Sequence, residues 1–288
     1  MFTTDILSQV VINGLSLSAI YILVALGFTL LFGIMKVVNF SHGAFAMLGG
    51  YALFISYGSY KLPYIIALFG SAFTVALISL IFEFLVFKWF YQKMFQSMIG
   101  LMGLNMAIVY ASVMIWDISE RSIPSPDQSI LTFGELSIPM DRLWIMSVTL
   151  VVLGLFWYFV TYSRQGLAMR AASQDLEIAA AQGINPNRIY KLAFFIAIFM
   201  TALAGGLYAQ TYALSPFMGE RPLMVAFIVV ILGGMGSIPG AALGGLILGL
   251  GESFLSTFYG GAVSSFVSFG SVVILLILRP WGLLGKPE

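Results

Sequence analysis

The sequence contains no cysteine and a single histidine among its 288 residues. The first absence excludes a disulfide framework, thiol chemistry and thiolate metal sites, and the second argues against a histidine-based metal site. Charged residues make up only 9% of the chain and the net charge is +1, so no polyanionic partner is implied and we expect no nucleic-acid binding. The composition therefore argues against a disulfide-bonded, thiol-dependent, histidine-metal or nucleic-acid-binding protein.

Motifs of known catalytic or nucleotide-binding chemistry are also missing. The chain has no Walker A sequence, no Ser/His/Asp arrangement and no HExxH motif. We therefore expect no catalytic residues, no metal and no cofactor bound by this chain. A proton-coupled carrier usually needs a titratable relay at the bilayer centre, but Glu83 and Glu252 are predicted near the ends of their spans. Energy for any transport must come from outside the chain.

What the chain does have is apolar surface. Hydrophobic residues make up 60% of it and the mean hydropathy is +1.00, which predicts a bilayer rather than water as the solvent. We expect residues 1–288 to form a single all-α transmembrane domain with about nine (eight to ten) helices of roughly 20 residues each. The predicted spans are residues 8–33, 40–58, 63–87, 98–116, 143–162, 191–213, 222–238, 241–258 and 263–279. The pair around Gly233 and Gly240 is predicted to contain broken or re-entrant helices.

The distribution of basic residues predicts the orientation in the membrane. Placing the N-terminus outside puts nine of the 13 lysine and arginine residues in the cytoplasm and four outside. The C-terminus is then cytoplasmic. The first apolar segment lacks a basic region before it and is interpreted as a retained helix, not a signal peptide. The longest outer connection, about 117–142, is predicted to form a short hairpin or a surface helix.

One polar segment, residues 163–191 (SRQGLAMRAASQDLEIAAAQGINPNRIYK), separates two apolar stretches. Its alanines favour helix and leave a smooth surface that a partner can approach. Gly183 is typical of a helix end, and Asn185 followed by Pro186 predicts a new helix start. The segment is either an ordinary cytoplasmic loop or a contact surface for a soluble partner. The candidate contact residues are Arg170, Asp175, Glu177, Ala180, Gly183 and Arg188.

Glycines and a polar group inside apolar sequence are the other candidates. Glycines four residues apart let helix backbones approach closely in lipid, so they predict tight packing or the frame of a pathway. A polar group at the start of a membrane helix is costly unless partnered and suggests a pathway or a switch. The alternative for His42 is a position at the cytoplasmic interface, bonded to a carbonyl. The candidates for lining a pathway are Asn39, Ser41, His42, Gly43, Gly49, Gly50, Gly234, Gly236 and Gly240.

Three segments together resemble a known family. They are GLSLSAIYILVALGFTLLFGIMKVVNFSHGAFAMLGGY (14–51), YSRQGLAMRAASQDLEIAAAQGIN (162–185) and LGGMGSIPGAALGGLILGLGE (232–252). With them, nearly the whole chain resembles the permease subunits of branched-chain amino acid ABC importers. The resemblance implies a type II-like ABC importer permease bundle whose cytoplasmic coupling helix, within 166–183, docks on an ATPase. The usual Glu-Ala-Ala order is interrupted here by Ile178.

The resemblance also implies partners and a location. These are a second related permease, two cytoplasmic ATPases that use ATP and Mg²⁺, an extracytoplasmic solute-binding protein, and the lipid of the bacterial inner (cytoplasmic) membrane. Urea or a short amide is the alternative substrate, since related permeases share the glycine-rich segments. A stand-alone facilitator and a membrane scaffold are the alternatives from other classes.

Overall fold

The computed structural model describes residues 4–133 and 136–285, and most of them are helical. Lys286, counted among the predicted cytoplasmic charges, lies outside these residues. The helices are α1 (Thr4–Met35), α2 (His42–Leu53), α3 (Tyr64–Leu85), α4 (Met94–Trp116), α5 (Met140–Tyr162), α6 (Arg164–Gln174), α7 (Leu176–Ala181), α8 (Pro186–Thr211), α9 (Glu220–Gly233), α10 (Ile238–Tyr259) and α11 (Gly261–Leu278). A π-helical turn, Phe54–Ser59, extends α2, and a 3₁₀ turn, Phe87–Trp89, follows α3.

Seven helices in the described part of the chain are long and apolar enough to cross a membrane: α1, α3, α4, α5, α8, α10 and α11. They confirm a polytopic membrane protein and correspond to seven of the predicted spans. The other two predicted spans are 40–58 and 222–238. The first contains α2, which has 12 residues before its π-helical turn Phe54–Ser59, and the second contains α9, which has 14 residues. A helical crossing needs about 20 residues. The count of nine spans is therefore not confirmed.

The helix α2 begins inside the bundle, and Gly219, just before α9, meets Gly43 at the start of α2. The Nε2 atom of His42 lies 3.0 Å from the carbonyl oxygen of Val24. Val24 precedes Met35, the last residue of α1, by 11 residues, or about 16 Å of helix. The chain thus turns back into the bundle after α1 before α2 starts. The break predicted around 233–240 is a turn between α9 and α10. The helix α9 is short because it begins only at Glu220, after the non-helical segment that follows α8.

The helix α1 lies at the centre of the bundle and packs closely on α10. A Cβ atom added to Gly249 would overlap Ser18, and one added to Gly245 would overlap Ile22. Glycines four residues apart on α10 therefore let the two backbones meet without intervening side chains, as the spacing predicts. On another face of α10, Gly240 meets the carbonyl group of Gly233 in α9.

Two β-strands form a hairpin in the connection between α4 and α5. Strand β1 (Ile130–Phe133) pairs antiparallel with β2 (Leu136–Pro139), in a register that sets Ile130 opposite Pro139. The hairpin alternative for 117–142 is therefore confirmed, and it is the one departure from the all-α expectation in the described residues. An isolated bridge between Arg121 and Leu214 ties the same connection to the segment after α8.

Replacing Gly249 by leucine should destabilise the chain, because the new side chain must push α1 away from α10. Overpacking of this kind costs about 1–3 kcal/mol. The matched control is Gly251→Leu in the same helix, because a Cβ atom at Gly251 meets nothing within 4 Å. Thermal unfolding in detergent should give a lower melting temperature for Gly249→Leu alone. Equal losses in both variants would contradict the packing assignment.

Candidate functional site

The segment predicted to meet a soluble partner forms two short helices, α6 and α7, before the start of α8. Each helix start has a side-chain cap. Ser163 Oγ accepts from the Gly166 amide at 2.8 Å, Asp175 Oδ1 from Ile178 at 2.9 Å, and Asn185 Oδ1 from Asn187 at 3.0 Å. Caps of this type satisfy the free N–H groups of a helix start. The break at Asp175 was not predicted, since the alanines on both sides favour one continuous helix.

The same segment presents both anchored and free surfaces. Ala179 and Met169 are buried, whereas Ile178 is 62% and Leu167 is 60% exposed. Gly183 closes α7 with φ +87°, a left-handed conformation that favours glycine. The six predicted contact residues are all exposed: Arg170, Asp175, Glu177, Ala180, Gly183 and Arg188. The segment therefore offers a partner an accessible helical face held in place by its buried side.

The polar group before α2 lies in the interior of the bundle. Asn39 Oδ1 accepts hydrogen bonds from the amide of Ser41 at 3.0 Å and from its hydroxyl at 2.7 Å. His42 Nε2 lies 3.0 Å from Thr201 Oγ1 in α8 as well as from the Val24 carbonyl. Asn39, Ser41 and His42 are fully buried. The carbonyl contact foreseen for His42 is present, but deep in the bundle instead of at the cytoplasmic interface.

Two polar atoms of this group have no hydrogen-bond partner within the described ranges, namely Asn39 Nδ2 and His42 Nδ1. An unpaired buried donor or acceptor costs free energy, so the buried arrangement is not fully satisfied. A lining role for these residues requires a conformation in which α2, together with α8, moves away from α1 and from Gly219 before α9. In the present structure that role stays a prediction.

Most of the glycines predicted to line a pathway are packing positions in this structure, and two of them lie in a turn. A Cβ atom on Gly43 would overlap the carbonyl oxygen of Gly219, and one on Gly49 would overlap Ala202. Gly50 faces side chains of Ala209, Leu214 and Met218. Gly234 and Gly236 have φ +105° and +82° in the turn between α9 and α10, where glycine is favoured.

The structure also contains a charged cluster that the sequence did not predict. Arg221, in the first turn of α9, forms an ion pair with Glu252 of α10. The Tyr21 hydroxyl of α1 donates to the other carboxylate oxygen at 2.7 Å. Glu252 precedes the end of α10 at Tyr259 by seven residues, or about 10 Å. The sequence places Arg221 in an outer loop, just before the predicted span 222–238. Because it is 31 residues from Glu252 along the chain, the sequence does not predict that the two residues pair.

A cavity of about 470 Å³ opens beside this ion pair. Its walls come from α8, α9, α10, α11 and the segment between α8 and α9. Aromatic side chains, including Tyr208, Tyr212 and Phe217, surround the two charges. Ionisable residues within a membrane bundle are costly and usually functional, so this cavity is a second candidate site.

Comparison with known proteins gives the family of this bundle. A family model described as the permease component of the branched-chain amino acid transport system matches residues 10–278. The chain belongs to this permease family. As a member, it is a multi-pass membrane transport subunit rather than an enzyme.

Relatives in the family match the chain along nearly its full length. The permease protein BraD of the high-affinity branched-chain amino acid transport system of Pseudomonas aeruginosa is 32% identical, over 97% of this chain and 96% of that protein. The corresponding LivH of Escherichia coli K12 is also 32% identical, with the same coverage of both chains. The permease LivM of E. coli K12 is 31% identical over 53% of this chain and 37% of its own length. No solved structure matches the chain.

The buried polar group can be tested by thiol labelling, since the chain has no natural cysteine. Cysteines at Asn39 and Ser41 should resist a small aqueous thiol reagent in the resting complex and react when nucleotide binding moves the helices. Ala72→Cys, at a fully buried packing position of α3, should stay protected throughout. A cysteine at Gly43 is unsuitable because it would collide with Gly219. Protection of 39 and 41 in every nucleotide state would leave them a packing role only.

Proposed function

We propose that this chain is one of two permease subunits of an ATP-driven importer that carries branched-chain amino acids across the bacterial cytoplasmic membrane. The observation that carries the proposal is the family match over residues 10–278, with relatives named for branched-chain amino acid transport. The likeness to LivM supports a related permease as the second subunit.

The energy comes from two separate ATPase subunits, which use ATP and Mg²⁺ on the cytoplasmic face. An extracytoplasmic solute-binding protein delivers the substrate to the opposite face. The N-terminus is outside and the C-terminus is cytoplasmic, in keeping with the excess of basic residues on the inner side. The ATPase contact is the exposed face of α6 and α7, which is capped, anchored and continuous with a membrane helix.

The motion of this contact reaches the membrane through α8. Asn185 caps α8 directly after the coupling helices, and α8 carries Thr201, which contacts His42. At the inner end, the rings of Tyr190 and Tyr91 lie 4.2 Å apart, and Tyr91 donates a hydrogen bond to Glu83 of α3. Burial, and then this carboxylate, raise the pKa of the Tyr91 hydroxyl, so it stays protonated as a donor.

A bulky substitution on the coupling face should separate ATP hydrolysis from transport. Ala180→Trp places a large side chain on an exposed position of α7 and should leave the membrane fold intact. We expect uptake to fall at least about tenfold while the ATPase activity of the complex persists. The control is Ser119→Trp, which adds the same side chain to the exposed outer connection. Unchanged uptake in Ala180→Trp would remove α7 from the contact.

The proposed function is tested directly by reconstitution. Liposomes that contain this chain, the second permease, both ATPases and the binding protein should take up leucine, isoleucine and valine only when ATP is present. Liposomes that contain this chain alone should take up none. Robust uptake by the single chain would favour a facilitator, and ATP-driven uptake of urea in place of amino acids would favour the amide alternative.

A further inference from the structure

The ion pair of Arg221 and Glu252 is not among the contacts proposed to connect α6 and α7 with α8 and α2. The side chain of Arg221 is 50% exposed toward the cavity, whereas that of Glu252 is 9% exposed. Glu220, the first residue of α9, also lines this cavity, so a second carboxylate lies near the ion pair. The guanidinium group of Arg221 is the positive charge in the cavity lining, and the carboxylate of Glu252 lies directly beside it.

A cation and an anion side by side match a ligand with adjacent opposite charges. The α-carboxylate of an amino acid suits the guanidinium group of Arg221, which can donate two parallel hydrogen bonds. The α-ammonium group suits the carboxylate of Glu252. The remaining wall is mainly apolar and aromatic, with Phe217, Met224 and Ile228 among its residues. The volume of about 470 Å³ lies within the range of roughly 300–1,000 Å³ typical of small-molecule pockets.

We propose that this cavity is a weak binding site for a zwitterionic α-amino acid with an apolar side chain. Arg221 receives the carboxylate and Glu252 receives the ammonium group. Without ligand, the two side chains neutralise each other, so neither charge is left unpaired in the bundle. A ligand replaces one ion pair by two, which allows exchange without a lone buried charge and keeps the site easy to leave. The inference rests on the proposed function and names the residues that recognise its substrate.

The unaltered protein provides the first test. Saturation-transfer NMR on nanodiscs with both permeases and both ATPases, but no binding protein, measures weak contact with added small molecules. The probes are L-leucine, 4-methylpentanoate, which lacks the ammonium group, and leucinamide, which lacks the carboxylate. We expect leucine to bind at least about tenfold tighter than either analogue, because each analogue lacks one charged, hydrogen-bonded contact. Equal affinity for the three probes would overturn the proposal.

Variants separate recognition from structural support. In Glu252→Gln, 4-methylpentanoate should bind at least as well as leucine, because only the carboxylate contact remains. In Arg221→Gln, leucinamide should bind at least as well as leucine, because only the ammonium contact remains. The double variant Arg221→Met with Glu252→Met removes both charges together and should keep the melting temperature of the complex while losing leucine binding. Glu120→Gln, on the exposed outer connection, is the control with unchanged affinity.

Leucine binding in a stable double variant would show that the ion pair only holds α9 to α10. If the double variant does not assemble, the three probes on the unaltered complex decide the question. Failure of this inference is distinct from failure of the proposed function. An importer that takes up leucine but shows no preference among the probes contradicts the inference alone, whereas an importer that does not take up branched-chain amino acids contradicts the function.

Discussion

The close contact between α2 and α8 is the constraint on which the rest of the structure depends. Gly49 of α2 meets the backbone of Ala202, and Gly205 of α8 meets the backbone of Ala46. No side chains separate the two helices at these points. In lipid, where apolar surface gives no drive for association, contacts of this kind hold helices together by packing. The helix α8 follows α7 after the turn 182–185. We infer that a displacement of α6 and α7 is carried to α2 through this contact.

The same contact explains where the polar groups lie. The start of α2 is held against α8 inside the bundle, so Asn39, Ser41 and His42 are buried with two of their polar atoms unsatisfied. Gly219, just before α9, meets Gly43 of α2, and the first turn of α9 brings Arg221 to Glu252. The starts of α2 and α9 thus bring His42 and Arg221 into contact with polar groups of the longer helices α8 and α10. Polar groups at this depth suit a pathway that is closed in one state and open in another.

Much of this architecture follows from the sequence. Long apolar runs predict the seven full spans because only a helix satisfies its own backbone in lipid. The helical segment that contains α6 and α7 is predicted by its alanines, by Asn185 as a cap and by Gly183. The sequence predicts broken or re-entrant helices for the pair around 233–240, which includes α9. The start of α2 inside the bundle is missed because hydropathy measures transfer to lipid, and a buried helix start is as apolar as a span. The pairing of Arg221 with Glu252 is missed because it depends on which helices become neighbours.

Distance measurements between paired spin labels test the central claim most directly, namely that the coupling helices, α8 and α2 move as one body. Cysteines introduced at Gln182, after α7, and at Tyr60, beyond the outer end of α2, are both exposed. A third label at Phe266 of α11, which is 80% exposed, serves as the reference. In the assembled importer the distance between 60 and 182 should stay constant when ATP binds, while the distance from 60 to 266 changes. A change between 60 and 182 with a constant distance from 60 to 266 would contradict the account.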